Sequence, residues 1–148
     1  MQADPMQSGP TTVTVSSPGQ GLIAYTHIIY ALHALTAVSG VVTGSIFMPV
    51  AFICGLPSAV AVLMNSARRS EARGTWLETH FRWQIRTFWF ATLWVVVTAL
   101  VSLPLMLILI GFAVGLFGLA SVAAWIIYRV IRGWLALRDA RAMPLPMA

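Results

Sequence analysis

Few side chains in this sequence have the chemistry for catalysis or ligation: three histidines (His27, His33, His80), one cysteine (Cys54), four acids and nine arginines. A metal or haem site needs ligands that converge. These histidines have no compact spacing such as HxxxH, and no cysteine or acid cluster joins them, so neither a metal nor a cofactor is expected. There is no GxSxG, no paired carboxylate and no glycine-rich phosphate loop. Glu78-x-His80 is a single acid beside a single histidine, which alone does not define a catalytic set, and the chain reads as a non-enzyme. One cysteine excludes an intramolecular disulfide, and Cys54 is expected to pack as a small hydrophobe.

What remains is a set of polar residues embedded in an apolar chain, and the chain explains how they are held. Of 148 residues, 59% are hydrophobic and 9% charged, against about 25% charged in soluble domains. Asp4 and Arg68 bracket 63 residues without Asp, Glu, Lys or Arg, and Arg86 and Arg129 bracket another 42. The apolar part of the first run, from about Leu22 to Ala67, would make roughly 69 Å of helix and the second roughly 63 Å, whereas a hydrocarbon core is about 30 Å thick. Each run therefore crosses twice. The expectation is an all-α integral membrane protein of four transmembrane helices in two hairpins, with spans near 22–43, 50–67, 87–105 and 111–133. The first reversal is placed at Gly44 to Pro49, the second between Ser102 and Ile110, with Pro104 or Gly111 as its marker. Pro57 falls inside the second span and is expected to kink it.

All nine positive charges are arginines, five between the hairpins and four at the C-terminal end, with none in either hairpin turn. The positive-inside rule then puts the central loop and both termini in the cytoplasm of a bacterial inner membrane. Topology accounts for the pI near 10.7, and no nucleic-acid partner is inferred; the lipid bilayer is the expected partner. Residues 1–21, rich in Pro, Ser, Thr and Gln, read as a disordered tail without a signal peptide, and 138–148 as a second tail.

Residues 73–90, RGTWLETHFRWQIRTFWF, combine three arginines, one glutamate, one histidine and eight large apolar side chains. Thr75 to Glu78 matches a capping box, and 76–86 reads as an amphipathic interfacial helix that runs without a breaker into the third span. Glu78, Thr79, Arg82 and Arg86 share one side, and Leu77, Phe81, Ile85 and Phe88 another. Glu78 and Arg82 are spaced for a helical ion pair. Trp76, Trp83 and Trp89, mirrored by Trp125, Tyr128 and Trp134, mark one membrane face. His80 and Gln84 fit neither side. They are read either as bundle-facing groups for a ligand or the first helix, or as partners of a neighbouring helix end or water.

On the first span, Thr26, Tyr30, His33, Ala37, Gly40 and Gly44 share one face. His33 lies near mid-membrane, where an ionisable residue is either functional or a neutral imidazole bonded to a Ser or Thr on another helix. Gly40 with Gly44, and Gly111 with Gly115 near Gly118, make GxxxG pairs that suggest packing faces within the monomer or between subunits.

The stretches YALHAL (30–35), ARRSEARGTWLETHFRWQIRTFWF (67–90) and WIIYRVIRGWLAL (125–137) resemble a family of small bacterial inner-membrane proteins with a domain of unknown function, grouped remotely with the small four-helix component of the chloroplast protein-import translocon. The resemblance spans about residues 22–137. It implies a four-helix inner-membrane protein with a polar helix before the third span, and His80, Gln84 and Arg86 as signature positions without assigned roles. The functional expectation is a non-catalytic membrane protein acting through helix packing, as accessory or assembly factor or as a homo-oligomer. A transport or translocation element is the alternative, and a haem or metal enzyme the least favoured.

Overall fold

The computed structural model describes residues 16–42 and 48–144, with the side chains of 41–42 and 48–54 outside that description. The first reversal, Gly44 and the Cys54 side chain therefore lie outside the described residues, as does most of the N-terminal tail.

The chain is all-helical: α1 (Gln20–Val42), α2 (Met48–Ala67), a one-turn α3 (Arg69–Ala72), α4 (Leu77–Leu105), a 3-10 turn (Met106–Ile108) and α5 (Ile110–Arg138). Three stretches, Gln20–Gly40, Leu77–Ile108 and Ile110–Arg138, are long and apolar enough to cross a membrane. The expected second span, 50–67, corresponds to α2, whose described apolar stretch, Gly55–Ala67, is shorter than a crossing. Uncharged helices suit such surroundings because every main-chain group is paired inside the element. Their hydroxyls follow the same rule. Thr26, Thr36, Ser39, Ser66, Thr87, Ser102 and Ser121 each donate to the carbonyl four residues earlier and so need no water.

α1 pairs with α2 and α4 with α5, and α1 against α5 joins the two hairpins. The hairpins differ in reach. At the level where Tyr30 meets Gly133 and His80, α1 has 12 residues left to its end and α4 has 25, or about 18 Å and 38 Å of helix. α1 is accordingly the inner element, with 33% of its apolar window buried against 6% for α4 and α5.

Among the described residues three have left-handed backbone, and only one of these is a glycine: Gly74, Leu109 and Ala140. Leu109 (φ 62) closes the second reversal inside the expected interval, between the two expected markers rather than on either. Gly111 follows it with its α-carbon against the Ser102, Leu105 and Met106 backbone, where a side chain has no room. Ala140 (φ 51) ends α5 in a Schellman motif, with Arg141 N–H donating to Ala136 at 2.9 Å and Ala140 N–H to Leu137 at 3.1 Å.

Residues 141–144 turn back along the bundle, Met143 is buried, and its N–H donates to Thr79 Oγ1 at 2.9 Å. Ser16 bridges to Thr75 and donates to the Gly74 carbonyl, and α1 begins at Gln20. The capping box also takes another form. Thr75 Oγ1 donates to the Ala72 carbonyl, and Glu78 Oε2 accepts from Gly74 N–H at 3.1 Å, so the glutamate caps the glycine turn.

Candidate functional site

α4 runs unbroken from the amphipathic segment into the long apolar stretch, which fixes the side-chain directions along it. Leu77, Phe81, His80 and Gln84 are all buried, while Arg82 and Arg86 are exposed. His80 and Gln84 thus share the inward side with the apolar residues.

His80 is held at both ring nitrogens. Nε2 lies 2.8 Å from the Arg141 carbonyl, which only accepts, so Nε2 carries the proton. In the neutral ring Nδ1 then accepts from the Tyr30 hydroxyl at 2.9 Å. One imidazole therefore ties α1 to α4 and to the segment beyond α5, meeting both a first-helix residue and a neighbouring helix end. Trp76 packs edge-on to the same ring at 5.6 Å between centroids. Tyr30 reaches His80 only because residue 133 is glycine: a Cβ there would stand 2.5 Å from the tyrosine oxygen.

One turn on, Gln84 meets α2. Asn65 Nδ2 donates to Gln84 Oε1 at 2.9 Å and to the Phe81 carbonyl at 3.2 Å. The carbonyl requires a donor, which fixes the Asn65 amide and, through it, the Gln84 amide. Sequence reasoning missed Asn65, although an amide inside an otherwise apolar helix is itself a signal.

His33 Nδ1 lies 2.9 Å from Ser58 Oγ on α2, a cross-helix imidazole–hydroxyl pair. His33 Nε2 and Gln84 Nε2 are buried without a hydrogen-bond partner. Both residues line a cavity of about 10 Å³ with Tyr30, Trp83, Thr87 and Arg129, about the smallest space that holds one water. Arg129 closes it. Its Nε donates to Thr87 Oγ1 at 2.8 Å and its guanidinium stacks 3.6 Å from the Trp83 ring centre, a cation–π contact.

The remaining sequence-selected residues lie apart from this cluster. Glu78 pairs with Arg82 at 2.7 Å on the outer side of α4, and Arg86 lies over the Phe90 ring. His27 accepts from Trp134 Nε1 at 2.9 Å. Gly115 and Gly118 face Ser102 and Thr98 of α4, so together with Gly111 they serve the α4–α5 contact inside the monomer. Gly40 has nothing within 4 Å of a built Cβ and marks no close approach among the described residues. The glycine of close approach between hairpins is Gly133, which no GxxxG spacing announces. No group of three or more His, Cys, Asp or Glu side chains suited to a metal is found among the described residues.

These elements define an all-helical chain with three helices of membrane-spanning length and a polar cluster where the two hairpins meet. No family model, curated protein or solved structure matches it.

Proposed function

We propose that the protein is a small non-catalytic protein of the bacterial inner membrane that acts through helix packing, as an accessory or assembly factor or as a homo-oligomer. The observation that supports this reading is the use made of the polar cluster: Tyr30, His80, Asn65 and Gln84 bond one another or main-chain carbonyls between helices. Polar groups employed in this way fix which helices meet, in surroundings where apolar contact alone does not discriminate. In native membranes, crosslinking is expected to capture a second copy or one stable protein neighbour. A strictly monomeric, partner-free protein would count against the proposal.

The topology proposed with it puts all nine arginines, and both termini, on the cytoplasmic side. In a Cys54→Ser background, Phe47→Cys and, separately, a cysteine added after Ala148 should react with an impermeant thiol reagent from opposite compartments.

A transport role is the second reading, favoured by the partnerless Nε2 atoms of His33 and Gln84 beside the cavity. A space of about 10 Å³ passes no solute in this conformation, so the reading requires an opening, an oligomer or a partner. Reconstituted vesicles would decide it: solute flux lost in His33→Ala supports transport, and absence of any flux removes it.

A further inference from the structure

We infer that the groove between the outer side of α5 and the turned-back segment 141–144 binds an anionic phospholipid, with the phosphate held by Arg132 and Arg141. The groove encloses about 490 Å³ and is lined by Tyr128, Ile131, Arg132, Leu135, Arg141 and Met143, among others. Tyr128, Ile131, Arg132 and Leu135 follow helical spacing along one side of α5 and are all exposed. An apolar wall of this kind suits an acyl chain.

The polar end carries unbalanced positive charge. Asp139 is the only acid after Glu78 in the sequence, and it is shared by Arg138 at 3.5 Å and Arg141 at 2.7 Å. Arg132 has no carboxylate within 4 Å among the described residues; its side-chain partners there are the Tyr128 hydroxyl at 3.1 Å and the Trp83 ring, 5.8 Å from its centre, and both are neutral. Three guanidiniums against one carboxylate call for an anion, and the adjoining apolar wall selects one carrying acyl chains over a soluble phosphate. The depth agrees. Arg132 lies six residues inside the end of α5, about 9 Å along the helix, slightly more than one headgroup layer of about 5–8 Å and within reach of a long arginine side chain.

The inference rests on the arginine-bearing end lying at a bilayer surface. The backbone also allows a clean test, because Arg141 anchors the segment to His80 through its carbonyl and not its side chain. Substituting the guanidinium leaves that anchor in place.

Native mass spectrometry of the full chain in micelles, supplied with phosphatidylglycerol or phosphatidylcholine of the same acyl chains, reads the preference directly. The wild type should favour phosphatidylglycerol by about ten- to thirtyfold, and Arg132→Gln with Arg141→Gln should bring the ratio below about threefold. Arg69→Gln, on α3 and outside the groove's lining, should leave it unchanged. Equal binding of the two lipids, or a preference that survives the double substitution, overturns the inference. So does full displacement of the lipid by glycerol 3-phosphate, which would make this a soluble-phosphate site. Binding seen only after truncation at Pro144 would assign the groove to the chain's own end. Should the double variant not fold, a salt titration of the wild type decides, since a guanidinium–phosphate preference must weaken with ionic strength. Micelle binding carries no sidedness, so its failure is separate from failure of the thiol-labelling test.

Discussion

The two ends of the helical bundle solve the same packing problem by different means. At the arginine-bearing end, side chains from α1, α2 and α4 meet through hydrogen bonds that also reach the chain after α5. At the far end α4 and α5 meet with small residues, Gly115 and Gly118 lying under Ser102 and Thr98. Hydrogen bonds specify partner and register together, whereas a run of small residues specifies only closeness. The end that must organise four helices uses the first, and the end that must close one hairpin uses the second.

A methyl group added to each end should break them unequally. At Gly133 it would stand 2.5 Å from the Tyr30 oxygen and 2.7 Å from its ring, with the tyrosine unable to move unless it leaves His80. At Gly118 the obstacle is the Thr98 side chain, 2.6 Å away at its methyl, which a rotamer change relieves. Gly133→Ala is expected to cost about 3 kcal/mol and Gly118→Ala about 1 kcal/mol or less, measured by unfolding in detergent. Equal costs would mean that Tyr30 is free to move.

Removing a hydrogen-bonding group at the arginine-bearing end should cost somewhat less. Asn65→Leu leaves Gln84 Oε1 without its donor in buried surroundings and takes the second, side-chain donor from the Phe81 carbonyl, an expected loss of about 1–3 kcal/mol. The double variant with Gln84→Leu should then recover part of that loss, because it removes the stranded acceptor. A fully additive pair would show that the two amides do not act together.

How much of this the sequence displays depends on whether a feature is written in residue type. The uncharged runs mark α1, α4 and α5, because charge is costly in lipid whatever the fold. Helical spacing groups Thr26, Tyr30, His33 and Ala37 on the buried side of α1, although Gly40, grouped with them, is exposed. By contrast, Gly133 gains its meaning from Tyr30, more than a hundred residues earlier. The His80 anchor is a main-chain carbonyl, which every residue possesses. Both the second reversal and the α5 terminus put leucine and alanine where glycine is the usual signal. Punctuation by residue type cannot reveal a turn that the chain makes without the customary residue.

Those two turns offer a gain instead of a loss. A left-handed residue with a Cβ costs roughly 1–2 kcal/mol relative to glycine, partly offset by the extra freedom glycine brings to the unfolded chain. Ala140→Gly and Leu109→Gly should each stabilise by about 1 kcal/mol at most. Ala140 is the sharper probe, because stiffening the Schellman motif also fixes the Arg141 carbonyl against His80. Slower amide exchange at Met143 should accompany the gain there, and no such remote effect should follow at the far turn.

The smallest effect belongs to the most conspicuous pair in the sequence. Glu78 and Arg82 sit 2.7 Å apart in the favoured helical order, yet the Arg82 side chain is 55% exposed, where water and salt screen the attraction. Glu78 also keeps a second bond, to Gly74 N–H, that does not depend on the arginine. Arg82→Gln should therefore change stability by less than about 0.5 kcal/mol. Glu78→Gln keeps an acceptor for Gly74 and should be nearly as mild, while Glu78→Ala, which strips that N–H of its partner, should cost more than either. If Arg82→Gln proved the costliest of the three, the charge pair would be holding the helix start in place of the glutamate's bond to the glycine turn.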